Sequence, residues 1–191
     1  MRIVELILDE EQEEAGIEAI SIVESPAIES DFIALAAEEI KLAEVDKEKK
    51  ILLGALLIPN KPIYRDGEEG EYYIFFSKDT VAKASQMYLK NGYQKNSTLE
   101  HDTALDGLTL VESWIVEDEV HDKSRKYGLN VPVGSWMGSV KVDNEEIWNE
   151  YILSGKCRGF SIEGFFADKM EQPKKSDLSI EDQILGKIKN I

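Results

Sequence analysis

A chain of 191 residues with 42% hydrophobic side chains is long enough to build one domain around its own core. Its formal charge of -16, from 38 acidic against 22 basic residues, argues against a nucleic-acid-binding surface, because phosphate recognition needs clustered Lys and Arg. One cysteine and two histidines exclude an internal disulfide and a zinc site of Cys and His by count, and nothing signals another metal or a cofactor.

The charge is uneven. The first 50 residues hold 15 acidic and 5 basic side chains, so residues 1–50 read as an acidic, solvated segment with apolar stretches inside it. Within it Arg2 to Leu8 and Ile17 to Val23 are β-type runs, separated by the acidic stretch Asp9 to Glu14, and Pro26 ends the second. The opening MRIVELILDEEQEEAG lacks a basic region followed by an unbroken apolar one, so no secretory leader is expected, and Cys157 standing alone fits a reducing cytoplasm. ILLGALLIP, Ile51 to Pro59, stops after nine residues, well short of the ~20 that a membrane helix requires. It reads instead as a buried strand, closed by the turn signal Pro59-Asn60.

A charged loop is expected next, then an aromatic strand from Tyr72 to Phe76. Ser77 has the character of an N-cap, and Val81, Ala84, Met87 and Tyr88 follow at helical spacing up to Asn91-Gly92. Leu108 to Val116 and Ser135 to Val142 read as strands. Asp143 to Ser154 predicts an amphipathic helix with acidic residues in its first turn, Ile147, Tyr151 and Ile152 on one face, and Gly155 as its stop. A last strand follows from Cys157 to Ala167, then a polar linker and a short tail helix in SIEDQILGKIKNI, within residues 171–191. This order predicts an α+β fold, a small β-barrel or strongly bent mixed sheet flanked by helices, with residues 51–170 as its core.

Scarcity constrains the chemistry. A hydrolase working near neutral pH usually takes a histidine as its base, and the choice is between His101 and His121. His121, in EDEVHDKSRK, reads as a solvated surface residue. His101, in STLEHDTALDG, stands at a turn beside a strand end, as an ordinary turn histidine or as a side chain facing a cleft. In CRGFSIEGFF, Ser161 lies between Gly159 and Gly164 in an apolar strand. It is either an oriented nucleophile or a small residue packed on a sheet beside a glycine bulge. The spacing is not the GxSxG elbow of α/β-hydrolases. Cys157, between Lys156 and Arg158, is a weaker nucleophile candidate. If the chain reverses around Ala104 to Gly107, Glu112 in LVESW becomes a cross-strand neighbour of His101 and a candidate for the acidic member of a triad, or else it simply faces solvent.

Taken together, ISIVESPAIESDFIAL, LLGALLIPNKPIYR, EYYIFFSKDTV, LEHD, LTLVESWIVED, DKSRKYGLNVPVGSWMGSVKV, EEIW and GFSIEGFF resemble the XkdF-like serine proteases of tailed phages and prophages, in collinear order from about Gly16 to Phe166. The resemblance implies a herpesvirus-protease-like fold, catalytic roles for His101 and Ser161, and cleavage of scaffold and major capsid protein segments inside the assembling prohead in the host cytoplasm, with self-cleavage. Composition and the short apolar runs lead to the expectation of no cofactor, nucleic-acid or membrane partner, and a homo-oligomer is compatible with the sequence. Related prohead proteases carry their acidic member on a strand after the serine, ending in valine and a Pro-Ala pair. Here that pattern stands at ISIVESPA, which suggests a circular permutation with Ile17 to Val23 in that slot and Glu18 or Glu24 as further acidic candidates beside Glu112. Amides near Gly159 or Gly164, with Arg158, are candidates for holding the oxyanion. Two other function classes fit the same residues: a non-catalytic capsid-assembly protein that retains the fold, and a cytoplasmic esterase or amidase.

Overall fold

The computed structural model describes residues 2–8, 15–28, 33–35, 49–67 and 70–168. The elements, in chain order, are β1 (Arg2–Ile7), β2 (Gly16–Val23), β3 (Ile33–Leu35), β4 (Ile51–Leu57), β5 (Ile63–Gly67), β6 (Gly70–Phe76), α1 (Lys78–Lys90), a 3-10 turn (Tyr93–Lys95), β7 (Ser97–Leu99), β8 (Thr103–Leu105), β9 (Leu108–Ile115), α2 (Lys123–Lys126), β10 (Trp136–Val142), α3 (Glu145–Ile147) running into a π-helical turn (Trp148–Ile152), β11 (Gly159–Phe165) and β12 (Ala167–Asp168). The tail helix expected after residue 170 and the acidic stretch Asp9 to Glu14 lie outside the described residues.

The α+β class holds, with strands dominant and few helices. The barrel does not: among the described residues the strands form three four-stranded sheets, ordered β12-β1-β6-β5, β3-β4-β10-β9 and β11-β2-β7-β8, none of them closed. Parallel pairs, β1 with β6 and β2 with β7, sit beside antiparallel ones. β4 is apolar and buried along nearly its whole length, as suits a strand covered on both faces. The charged loop expected between Ile58 and Tyr72 instead contains β5, which forms a hairpin with β6 through Ile63↔Ile74 and Arg65↔Tyr72. Its alternation of buried Ile63 with exposed Tyr64 is half-apolar, a weak signal that pairing with β6 decides.

The helix predicted from Ser77 forms as read. The Ser77 hydroxyl accepts from the Thr80 amide at 3.4 Å, Asp79 faces the positive end of the helix, and Val81, Ala84 and Tyr88 are buried. Tyr88 packs edge-on to Trp136 with ring centroids 5.6 Å apart, and its hydroxyl donates to the Asn96 carbonyl at 3.3 Å. Burying such rings supplies on the order of 2–3 kcal/mol each and locks α1 over β10. The second predicted helix is split into α3 and the π-helical turn, with Asn144 as its cap accepting from the Ile147 amide at 3.1 Å.

β2 is the immediate antiparallel neighbour of β11, with Ser21 opposite Ser161. On its other side β2 runs parallel to β7, with Ser21 opposite Thr98. Phe160, Ile20 and Ile22 point into the core, all but inaccessible, and residues alternate along a strand. Ser161, Glu163, Ser21 and Thr98 therefore share the opposite face. β11 bulges between Glu163 and Gly164. A Cβ on Gly164 would stand 2.0 Å from the Gly16 carbonyl oxygen, so the bulge requires glycine there.

Candidate active site

The hairpin β7–β8 pairs Leu99 with Thr103, so the chain reverses at Glu100, His101 and Asp102. This corrects the reversal expected at Ala104 to Gly107, which would have set His101 against Glu112. A three-residue turn needs left-handed backbone, and Glu100 (φ 52°) and His101 (φ 61°) both adopt it. Two consecutive non-glycine residues in that region cost about 1 kcal/mol or more each, so the turn must be held from outside.

Strand β2 holds it. The Glu100 amide donates to the Ile22 carbonyl at 3.2 Å, and the Glu100 carboxylate accepts from the Glu24 amide at 2.6 Å. The His101 amide donates to the Ser21 hydroxyl oxygen at 3.0 Å, and that hydroxyl donates in turn to the Thr98 carbonyl at 3.3 Å. Ser21 is inaccessible to solvent. A buried hydroxyl with both its donor and acceptor roles used is a fixed point, and this one fixes the His101 backbone directly over the cross-strand partner of Ser161.

The imidazole then meets a carboxylate. His101 Nδ1 lies 3.2 Å from Glu163 Oε1, with the two side chains 43% and 30% exposed. The Thr98 hydroxyl donates to the same carboxylate oxygen. Glu163 stands two residues after Ser161 on the same strand face, about 6.6 Å along the backbone. With Nδ1 turned to Glu163, Nε2 is the nitrogen left for a proton from elsewhere. The Ser161 side chain is half-buried, and its hydroxyl makes no hydrogen bond among the described residues.

Glu112 is placed in another sheet. It lies opposite Ser139 on β10, accepting from the Ser139 hydroxyl and, at 2.5 Å, from Lys123 Nζ. The Lys123 and Ser139 hydrogen bonds hold its carboxyl below the usual carboxylate range, against the opposing effect of partial burial. Glu24 contributes its amide to the turn, while the Glu18 carbonyl accepts from Asn96 Nδ2 at 3.1 Å. His101 is therefore brought to Glu163, while the Glu112 carboxylate is held in another sheet by Lys123 and Ser139, and Glu18 and Glu24 join the hydrogen-bond network of β2 and the turn through backbone atoms. Glu163 was missed in the sequence although it lies within GFSIEGFF. The signal is the i, i+2 spacing from the serine, which in a strand places two side chains on one face.

Cys157 is buried, its thiol donating to Glu100 Oε1 at 3.8 Å. Burial first, then the Glu100 charge, pushes the thiol up to about 11, which leaves almost no thiolate near neutrality. His121 is exposed, with Nδ1 3.1 Å from Asp118 Oδ2. The His121 and Val120 amides hold that carboxyl down at about 2. Among the described residues no cluster of three His, Cys, Asp or Glu side chains could hold a metal ion, and no helix is long and apolar enough to cross a membrane.

Neither the curated proteins nor the solved structures contain a match to this chain. One family model does match, over residues 38–171, spanning β4 to β12 and both Ser161 and His101. The match covers more than half of the chain, and the chain belongs to the family described as "Putative phage serine protease XkdF".

Proposed function

We propose that the chain is a serine endopeptidase in which Ser161 is the nucleophile, His101 the general base and Glu163 the residue that orients and charges the imidazole. The observation that carries this reading is the 3.2 Å approach of His101 Nδ1 to Glu163, a neighbour of Ser161 on the same strand face. The triad template assigns the acid to one ring nitrogen and the serine proton to the other. Nε2 takes the Ser161 proton as Oγ attacks a peptide carbonyl, and the imidazolium is stabilised by Glu163. The same proton passes to the leaving amine, and water resolves the acyl-enzyme by the reverse route. The Ser161–His101 hydrogen bond belongs to the substrate-bound state, as apo sites of this kind are commonly loose.

The proposed substrates are scaffold and major capsid protein segments, cut within the assembling prohead in the host cytoplasm and accompanied by self-cleavage. Family membership supports this assignment. The neighbouring positions of β2 and β11 support the permuted, herpesvirus-protease-like arrangement. Mixing the purified chain with its phage's scaffold and capsid proteins should yield discrete fragments, and Ser161→Ala should lower the rate by roughly 10⁴-fold or more. Fragments that persist unchanged with Ser161→Ala would assign the nucleophile elsewhere. Their absence with active-site residues intact, alongside capsid assembly that still needs the protein, would make it a non-catalytic assembly factor.

A further inference from the structure

A cavity of about 350 Å³ opens beside Ser161 and Ile162, within the size range of pockets that take a ligand group. Its far wall is one face of the sheet β12-β1-β6-β5. The register aligns Val4, Ile74 and Ile63 across three strands, and one pleat away it aligns Arg2, Tyr72 and Arg65. Ile63 and Ile74 are buried, whereas Arg65 is exposed at the rim; Arg2, also exposed, lies outside the cavity lining. The wall thus passes from apolar at the floor to cationic at the edge. Tyr72 separates the two guanidinium groups, with Arg2 stacked 5.9 Å from its ring centroid.

Arg65 is the charged side chain among those lining this cavity. Nη1 donates to the Tyr64 carbonyl at 2.9 Å, and no carboxylate pairs with Arg65 among the described residues. Partial desolvation lowers its pKa, the nearby Tyr72 opposing that shift. In a chain of charge -16, a guanidinium beside an apolar pocket with no acidic partner among the described residues is a recognition group for an anion.

We propose that this cavity is the specificity pocket of the protease, taking a glutamate side chain next to the scissile bond, with its methylene stem against Ile63 and Ile74 and its carboxylate on Arg65. The inference rests on the assignment of Ser161 as nucleophile and names the substrate class of that same site. Glutamate fits better than aspartate because the cation stands at the rim, beyond the apolar wall. A bidentate guanidinium–carboxylate contact discriminates against the uncharged isostere.

The test begins with the full chain and a peptide library made from a denatured bacterial proteome, followed by matched peptides that carry Glu or Gln beside the observed cut. The ratio of kcat/KM for the two, taken within one preparation, does not depend on how much enzyme is folded. The wild-type ratio should favour Glu by about 10- to 100-fold. Arg65→Ala should bring it close to one, Arg65→Lys should restore part of it, and Arg65→Glu should favour Lys. A second arm measures binding of the Ser161→Ala protein, with and without Arg65→Glu, to an array of the same library peptides in Glu and Gln forms. Cleavage without a Glu preference, or with one that survives Arg65→Ala, overturns the pocket and leaves the protease standing. Glu-dependent binding lost in Arg65→Glu, with no cleavage by the wild type, keeps the pocket and overturns the protease. Neither cleavage nor Glu-dependent binding overturns both.

Discussion

Glu112 on β9 and Glu163 on β11 are both carboxylates within apolar strands, and the structure gives them different partners. Glu112 is held by the ammonium of Lys123 and the hydroxyl of Ser139, with 49% of its side chain exposed. Glu163 is held by the imidazole of His101 and the hydroxyl of Thr98, with 30% exposed. Each has one hydroxyl and one nitrogen cation or base. The nitrogen makes the difference: an ammonium is a fixed cation that exchanges no proton with a substrate, whereas an imidazole is suited to proton transfer near neutrality. A carboxylate on a fixed cation is a structural tie. On the proposed assignment, the carboxylate on the histidine serves proton transfer.

The sharpest way to break this contrast is to remove each partner set in turn. His101→Ala and Glu163→Gln should each lower kcat by about 10³- to 10⁴-fold, the second through a misdirected tautomer, while Glu112→Gln should stay within about twofold. Steady-state proteolysis on one peptide checks all three, and a large loss with Glu112→Gln would return the acid role to β9. Ser21→Ala deprives the His101 amide of its acceptor. Its expected cost is about 10- to 100-fold in kcat with little change in KM, with partial rescue by Ser21→Thr, and a change confined to KM would remove Ser21 from this positioning role.

Stability separates the two regions further. Gly164→Ala forces a methyl against the backbone of β2 and should destabilise the fold by about 1–3 kcal/mol in denaturant melts, because β11 must leave its register. Glu112→Gln should cost less than about 1 kcal/mol near pH 7, as the pair is largely solvated. The sign of its pH dependence follows from a folded pKa depressed below the ordinary value of 4.5. The contribution is complete above that value and is lost as pH falls through the lower folded one. The wild type and Glu112→Gln should therefore converge in stability on acidification. The smallest effect belongs to Cys157. With its thiol pushed up to about 11, alkylation at pH 7 should be slow and should lag far behind loss of activity to a serine-directed phosphonate.

Much of the framework was legible residue by residue. Ser77 and the spacing of Val81, Ala84 and Tyr88 announce α1, the unbroken apolar run from Ile51 announces β4, and Gly155 stops the last helical segment. The hairpin β7–β8 was not legible. Its turn is made by Glu100 and His101 in left-handed backbone, where glycine or asparagine is the usual signal, and bonds from Ser21, Ile22 and Glu24 supply what local preference does not. A reversal at Glu100 to Asp102, not at Ala104 to Gly107, sets His101 beside Glu163 on β11 and away from Glu112 on β9.

The sequence by itself determined which groups were available for chemistry: two histidines, one cysteine, and a serine in a glycine-flanked strand. Its collinear motifs also determined the family. Tertiary structure alone decided which carboxylate meets His101 and where Arg65 stands relative to Ser161, because both depend on pairings between strands far apart in the chain. Side-chain alternation is local, and so the shared face of Ser161 and Glu163 is written in GFSIEGFF. That His101 hangs over the same face follows from the pairing of β2 with both β11 and β7, a contact that no local pattern encodes.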